Sequence, residues 1–214
     1  MQKNYIIFDL DGTLIDSKSG IFYCLDYTAK KMNVPPLSDE IKKQFIGPPI
    51  FDSFSNACGF DDDLAKCACK IFRTEYFEKG HTMVDLYDGI LKLLDYIKSR
   101  GIKMYVATSK PEVMAQKIMD NLNISHYFDY IAGASVDMSR TTKIEVLDYL
   151  FEKAGLIDKS DCVLIGDTLF DAKGAKTAEI DFIGVLWGFG GEGDFSGYPA
   201  LTICKTPNEL IDFI

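Results

Sequence analysis

The chain has 214 residues, of which 47% are hydrophobic and 26% charged, and its 32 acidic against 23 basic residues give a formal net charge of −9. This length permits one principal core with a smaller module attached, and the acidic balance argues against a nucleic-acid polymer as a partner. The longest apolar runs fall far short of the ~18 residues that a membrane span needs, and no long apolar segment of the secretory type follows the N-terminus, so we expect a cytoplasmic protein with no membrane partner.

Short apolar or β-branched runs alternate with segments of helical period along most of the chain. Apolar residues recur with helical spacing from Ile90 to Ile97 and from Ile144 to Ala154, and a glycine follows each segment. This alternation predicts an α/β fold with a doubly wound (Rossmann-like) parallel sheet. The predicted strands are Tyr5–Phe8, Lys103–Ala107, Tyr130–Ala132, Cys162–Ile165, Phe182–Leu186 and Leu201–Cys204.

Residues 17–81 depart from this alternation, because they contain helical periodicity and no convincing strand. Apolar residues line one helix face from Ile21 to Met32, and a second long helix is predicted from Leu64 to Phe77. Two prolines and a glycine within Phe45–Ile50 predict a turn between the helices. We therefore predict a Rossmann-like core at residues 1–16 and 82–214, interrupted by a smaller all-helical domain at 17–81. His81 lies in no motif and is predicted to be an ordinary surface or interface residue.

Two carboxylates follow the first predicted strand directly. Asp9 and Asp11 are separated by one residue, and Gly12 permits the sharp backbone turn that comes next. An Asp-Gly turn with solvated acids is common by itself. At the carboxyl end of a parallel strand, however, such acids point into the crevice where open α/β folds bind ligands.

Three later segments place polar groups after a predicted strand or at the start of a helix. Thr108 and Ser109 follow the second strand, Lys143 opens a helix, and Asp167 and Asp171 follow the strand that ends near Ile165. Each residue alone has a simple structural explanation as a helix cap, a surface lysine or a helix-terminal acid. Together they supply the nucleophile, proton donor, cation site and hydrogen-bonding groups that phosphoryl transfer requires.

With these motifs in this order, the chain resembles the haloacid dehalogenase-like hydrolases of the phosphatase type that carry a helical cap after the first strand. The segments Phe45–Ile50 and Val185–Gly190 further resemble the phosphoglycolate phosphatase-like branch. The resemblance implies a phosphoric monoester hydrolase, that is, a phosphatase that hydrolyses a small phosphorylated metabolite such as phosphoglycolate or a nucleoside monophosphate.

The resemblance also implies a role for each matching residue. Asp9 would be the nucleophile that forms an aspartyl-phosphate, and Asp11 the general acid and then the general base. Thr108, Ser109 and Lys143 would bind the substrate phosphate, and Lys143 would also neutralise the nucleophile. Lys110 and Arg140 stay outside this set because the family pattern does not fix them.

Magnesium is the cofactor that the resemblance implies. Its ligands would be the Asp9 carboxylate, the backbone carbonyl of Asp11 and the carboxylate of Asp167, with Asp171 lying just outside this set or binding through water. Such all-oxygen ligation suits the hard octahedral preference of Mg²⁺.

Other functions remain possible at this point. A phosphomutase of the β-phosphoglucomutase type would use the same core motifs, and nothing in those motifs excludes it. A dehalogenase would not need Asp11, Asp167 or Asp171, and a phospho-accepting receiver domain would be shorter and would not carry its aspartate on the first strand. The sequence determines neither the substrate nor the oligomeric state.

Overall fold

In a computed structural model that describes residues 3–155 and 158–214, the chain divides into two compact units. One unit comprises Met1–Ile15 with Leu86–Ile214, and the other comprises Asp16–Asp85. The predicted insert, 17–81, begins one residue later (17 against 16) and ends four residues earlier (81 against 85) than the second unit. Residues 1, 2, 156 and 157 of the predicted core lie outside the described part of the chain.

The elements follow the alternation that the sequence predicts. The strands are β1 (Tyr5–Phe8), β2 (Ile15–Asp16), β3 (Asp85–Leu86), β4 (Lys103–Pro111), β5 (Tyr130–Ala134), β6 (Cys162–Gly166), β7 (Asp181–Val185) and β8 (Thr202–Cys204). The α-helices are α1 (Lys18–Met32), α2 (Asp39–Lys43), α3 (Ile50–Cys58), α4 (Asp62–Glu78), α5 (Ile90–Ser99), α6 (Glu112–Asn121), α7 (Lys143–Ala154), α8 (Leu169–Ala178) and α9 (Pro207–Phe213).

The larger unit is built on a six-stranded sheet in the order β5-β4-β1-β6-β7-β8. Neighbouring strands are parallel throughout, and Ile7 of the central β1 is in register with Tyr105 on one side and Leu164 on the other. Ile6, Ile7 and Phe8 are fully buried, as expected for a strand covered on both faces. The predicted doubly wound parallel sheet is confirmed.

Strand β4 runs further than predicted. The predicted strand ends at Ala107, but β4 continues to Pro111, so Thr108 and Ser109 lie within the strand. Its register with β5 shifts between Thr108 and Pro111. An apolar pattern does not predict this stretch as strand, because Thr108, Ser109 and Lys110 are polar.

The smaller unit contains α1 to α4 and a short 3₁₀ helix at Gly80–Thr82. Its core is aromatic: the ring centroids of Phe54 and Phe45 lie 4.9 Å apart, and those of Phe72 and Tyr76 lie 5.7 Å apart. His81 is only 4% exposed and its Nδ1 lies 3.2 Å from the Tyr76 carbonyl oxygen, so the prediction of a surface or interface histidine is wrong. His81 is therefore a core residue of the helical unit, and its position in the sequence does not reveal this burial. Across residues 3–155 and 158–214, we find no helix with the length and hydrophobicity to cross a membrane.

Candidate active site

The side chain of Lys143 joins two buried carboxylates at the carboxyl ends of the central strands. Its ammonium group donates hydrogen bonds to Asp9 Oδ1 at 2.5 Å and to the carbonyl oxygen of Ala107 at 2.7 Å, and it forms an ion pair with Asp171 Oδ1 at 2.8 Å. Lys143 therefore links the ends of β1 and β4 to the start of α8.

Lys143 is the first residue of α7, and the cap of that helix fixes its position. The Thr142 hydroxyl accepts a hydrogen bond from the Glu145 amide at 3.4 Å, and the Glu145 carboxylate accepts one from the Thr142 amide at 2.8 Å. Such a reciprocal pair satisfies two amide donors that the first turn would otherwise leave unpaired. On the neighbouring helix α8, a Cβ added to Gly174 would lie 2.5 Å from Lys143 Cγ, so the glycine provides room for the lysine side chain.

Asp171 is the third residue of α8 and is held by the cap of that helix. Its Oδ2 accepts hydrogen bonds from the Thr168 amide at 3.0 Å and from the Thr168 hydroxyl at 2.8 Å. Its other oxygen faces Lys143. Asp171 Oδ1 is buried and has an ion pair with Lys143 but accepts no hydrogen bond from the described residues, so one oxygen of this carboxylate is held by the helix and the other faces the buried cluster.

Asp167 is fully buried and is held by a glycine-rich loop that follows β7. Its Oδ2 accepts hydrogen bonds from the backbone amides of Phe189 at 2.8 Å and Gly190 at 3.4 Å, and its Oδ1 accepts one from the Thr13 hydroxyl at 3.3 Å. The indole Nε1 of Trp187 donates to the Thr13 carbonyl oxygen at 2.9 Å. The loops after β1 and β7 therefore both converge on this one carboxylate.

Gly12 is required where the loop after β1 passes Asp167. Its φ of 87° lies in the region that favours glycine, and an added Cβ would lie 2.1 Å from Asp167 Oδ2. A side chain here would be strained and would also displace the carboxylate. The predicted turn after Asp11 is thus explained by close approach as well as by backbone conformation.

The carboxylates carry more negative charge than the neighbouring lysine can offset. Burial raises the pKa of Asp9 from 3.8 to about 7, since the attraction of Lys143 is outweighed once repulsion from Asp171 and Asp11 is added. Burial, with repulsion from Asp171 and Asp9, also raises the pKa of Asp167 well above its usual value, against the lowering effect of the two loop amides. For Lys143, burial acts to lower the pKa, but Asp171 and Asp9 raise it more.

An oxygen of each of Asp9, Asp167 and Asp171 lies within 4.8 Å of the others. Three buried carboxylates in such proximity, two of them with raised pKa values, form an all-oxygen set that a divalent cation would stabilise. This donor set fits Mg²⁺, which prefers a small number of carboxylates together with water and substrate oxygens.

The remaining predicted residues lie in the carboxyl-terminal part of β4, which contains Thr108 and Ser109, and just after β1, where Asp11 lies. Thr108 is 2% exposed and its hydroxyl oxygen accepts a hydrogen bond from the Lys110 amide at 3.1 Å, which leaves the hydroxyl proton to be donated elsewhere. Ser109 is partly exposed. Asp11 forms an ion pair of 3.0 Å with the side chain of Lys110.

The sequence did not assign roles to several residues that the structure brings to this cluster. Lys110 follows Thr108 and Ser109 directly, and Thr13 follows Gly12, but neither residue has a role fixed by the motifs. Gly188 and Gly190 follow the predicted strand Phe182–Leu186, and such glycines are a sequence signal for close backbone approach. Arg140 forms its ion pair with Glu112, at 3.0 Å, and not with the carboxylates of Asp9, Asp167 or Asp171.

Comparisons with known proteins agree with this geometry. A family model described as haloacid dehalogenase-like hydrolase matches residues 6–185. A 5′-nucleotidase of Pseudomonas aeruginosa is 34% identical over 93% of this chain and 90% of its own length. The tyrosine-protein kinase PtkA of Mycobacterium tuberculosis is 34% identical over 92% of this chain and 67% of its own length.

Phosphoglycolate phosphatases are also among the relatives; the one from Colwellia psychrerythraea is 27% identical over 98% of this chain and 96% of its own length. A solved structure described as a predicted phosphatase from Clostridium acetobutylicum is 35% identical, superposes with a TM-score of 0.94, and is matched over 100% of this chain and 98% of that one. The resemblance inferred from the motifs is therefore confirmed, and the chain belongs to the haloacid dehalogenase-like hydrolases, in the branch that includes the phosphoglycolate phosphatases.

Proposed function

We propose that this chain is a magnesium-dependent phosphatase that hydrolyses a small phosphate monoester through an aspartyl-phosphate on Asp9. The observation that carries the proposal is the buried contact of Lys143 with Asp9 and Asp171, with Asp167 in the same cluster. A nucleophilic carboxylate, a fixed cation and an all-oxygen ion site at one sheet edge are what transfer of a phosphoryl group requires.

In the first half of the reaction, a carboxylate oxygen of Asp9 attacks phosphorus and the bond from phosphorus to the ester oxygen breaks. Asp11 gives its proton to the departing ester oxygen, so the product leaves as a neutral alcohol. In the second half, Asp11 takes a proton from water as the water oxygen attacks phosphorus, and inorganic phosphate and free Asp9 are released.

Other groups stabilise the charge of the transferring phosphate. The Thr108 hydroxyl, whose oxygen is fixed by the Lys110 amide, would donate to a phosphate oxygen, assisted by the backbone at Ser109. Lys143 would offset the charge of Asp9 and of the phosphate together. A bound Mg²⁺ would withdraw charge from the phosphate oxygens; Asp9, the Asp11 carbonyl and Asp167 would hold it, with Asp171 supporting them.

We also propose that Asp16–Asp85 acts as the cap domain and the rest of the chain as the catalytic core. The substrate class, a small phosphorylated metabolite, is supported by relatives named phosphoglycolate phosphatase and 5′-nucleotidase. The net charge of −9 supports a small substrate over a polyanion and is compatible with a cytoplasmic location.

A screen of phosphorylated metabolites with Mg²⁺ tests this proposal. We expect release of inorganic phosphate by the wild type, with loss on chelation and in Asp9→Asn. Asp148→Asn is the matched control, because Asp148 is an exposed carboxylate on α7. Full activity of a folded Asp9→Asn protein would rule the mechanism out.

The same screen distinguishes the phosphomutase alternative. Conversion of a sugar 1-phosphate to its 6-phosphate isomer without net phosphate release would favour a mutase. Phosphate release without isomerisation would favour the phosphatase.

A further inference from the structure

Arg140 lies in the loop between β5 and α7, and its guanidinium group contacts three neighbouring elements. Its Nε donates to the carbonyl oxygen of Gly133 in β5 at 2.8 Å, and its Nη2 donates to Glu112 Oε2 at the start of α6 at 3.0 Å. The guanidinium carbon lies 3.6 Å from the ring centroid of Tyr149 in α7. We call this set, Arg140 with Glu112, Gly133 and Tyr149, the Arg140 clamp.

Gly133 is the residue through which the clamp holds β5, the edge strand of the six-stranded sheet. Its amide donates to Glu112 Oε2 at 3.2 Å, so the same carboxylate oxygen bonds both to the strand and to Arg140. A Cβ added to Gly133 would lie 2.6 Å from Glu112 Cα, so the glycine lets the start of α6 approach the strand closely. The clamp therefore holds the backbone of β5 and not only two side chains.

The loop that carries Arg140 is also closed through its own backbone. The Ser135 amide donates to the Arg140 carbonyl oxygen at 2.8 Å, and the Arg140 amide donates to the Ser135 hydroxyl oxygen at 2.9 Å. Ser135 directly follows β5, so these bonds join the end of the strand to the residues that precede α7. The side chain and the backbone of Arg140 thus fix the same point of the chain.

The clamp joins the two segments that carry the proposed phosphate-binding groups. Glu112 comes four residues after Thr108, and Arg140 comes three residues before Lys143. Lys143 also donates to the Ala107 carbonyl oxygen of β4 at 2.7 Å, but this contact lies at the tip of a flexible four-carbon side chain. The clamp instead acts close to the backbone of both segments.

Given the proposed function, on which this step rests, we infer that Arg140 is a positioning residue that, through Glu112, sets the separation of Thr108 and Lys143 around the transferring phosphate. Arg140 acts in this way without contact to the substrate. A displacement of about 1 Å at such a group can cost roughly 100-fold in rate. The paired side chains are 17% and 31% exposed, and partly exposed ion pairs contribute modestly to overall stability. The effect of losing the pair should therefore be larger on turnover than on folding.

Release of phosphate from 4-nitrophenyl phosphate with Mg²⁺ measures the effect on turnover. We expect Arg140→Met to lower kcat about tenfold or more with little change in KM, and Arg140→Lys, which keeps a cation beside Glu112, to recover part of the loss. Arg140→Met/Glu112→Ala should be no slower than Arg140→Met, because both substitutions break one contact. Lys153→Met is the matched control: Lys153 is an exposed cation 5.5 Å from the same Tyr149 ring, and its loss should leave kcat unchanged.

The position of Lys143 can also be followed without turnover, which separates this inference from the proposed function. Nitrogen-15 NMR of the side-chain ammonium groups is recorded on the metal-free protein, and Lys143→Met assigns the Lys143 signal. We expect Arg140→Met to shift or broaden that signal, Arg140→Lys to change it less, and Lys153→Met to leave it in place. Such a shift would support the inference even if the wild type released no phosphate. An unchanged Lys143 signal in both Arg140 variants, or a wild-type kcat in Arg140→Met, would overturn it. The Lys variant carries the same test if the Met variant does not fold.

Discussion

The raised pKa of Asp9 leads to a prediction about stability that needs no substrate. Folding raises this pKa from 3.8 to about 7, so between about pH 4 and pH 7 the folded state holds a proton that the unfolded state has released. In that window the free energy of unfolding of the metal-free protein falls as the pH rises. A shift of roughly three units, at about 1.4 kcal/mol each, corresponds to about 4 kcal/mol in total.

Asp9→Asn removes this titration with little change of shape. We expect the variant to become more stable relative to wild type as the pH rises, with the difference in unfolding free energy growing by about 3 kcal/mol between pH 5 and pH 8. The shift of Asp167 adds in the same direction, because the charge of Asp9 is one of its causes. Saturating Mg²⁺ should reverse the order at pH 8, since a bound dication stabilises the charged form of Asp9.

Denaturant titrations in chelator at pH 5, 6, 7 and 8 measure this effect. Wild type, Asp9→Asn and the exposed control Asp148→Asn are compared at each pH, and the control should follow wild type throughout. A stability difference between wild type and Asp9→Asn that stays constant over this range would refute the reasoning about burial and repulsion.

Four further outcomes are expected from neighbouring contacts. Lys143→Met should leave Asp9 and Asp171 without their shared cation, so we expect destabilisation by about 3 kcal/mol or more at pH 8, measured by denaturant titration, and no detectable turnover. Gly174→Ala would press on the Lys143 stem and should lower kcat about tenfold or more while circular dichroism shows the fold retained. Trp187→Phe loses the hydrogen bond to the Thr13 carbonyl and should weaken Mg²⁺ binding in calorimetry; an unchanged affinity would show that the loop does not orient the ion site. Because Trp187 is the single tryptophan of the chain, wild-type fluorescence should also change on addition of Mg²⁺.

The sheet was predictable because each of its strands has a short local sequence pattern, and the same pattern recurs along the chain. Each buried strand is a short apolar run followed by a helical pattern, and the run of β1 is typical of a strand covered on both faces. The meeting of Asp9 with Asp167 was predictable for a related reason, since parallel strands share one carboxyl edge.

Contacts that depend on side-chain direction were beyond the sequence pattern. The pairing of Lys110 with Asp11 follows from an irregular register between β4 and β5, which a periodicity of two does not encode. The amides of Phe189 and Gly190 reach Asp167 through a loop in which a Cβ added to Gly188 would lie 2.2 Å from the Gly12 carbonyl oxygen. The burial of His81 likewise depends on packing within the helical unit.

The central place of β1 has a consequence for synthesis on the ribosome. This strand is translated first, yet both of its partners, β4 and β6, come later than the whole of Asp16–Asp85. The helical unit can therefore become compact on the nascent chain before either strand that pairs with β1 has been synthesised. A compact insert also brings its two ends closer than a flexible segment of the same length would, which reduces the entropy lost when β4 finally joins β1.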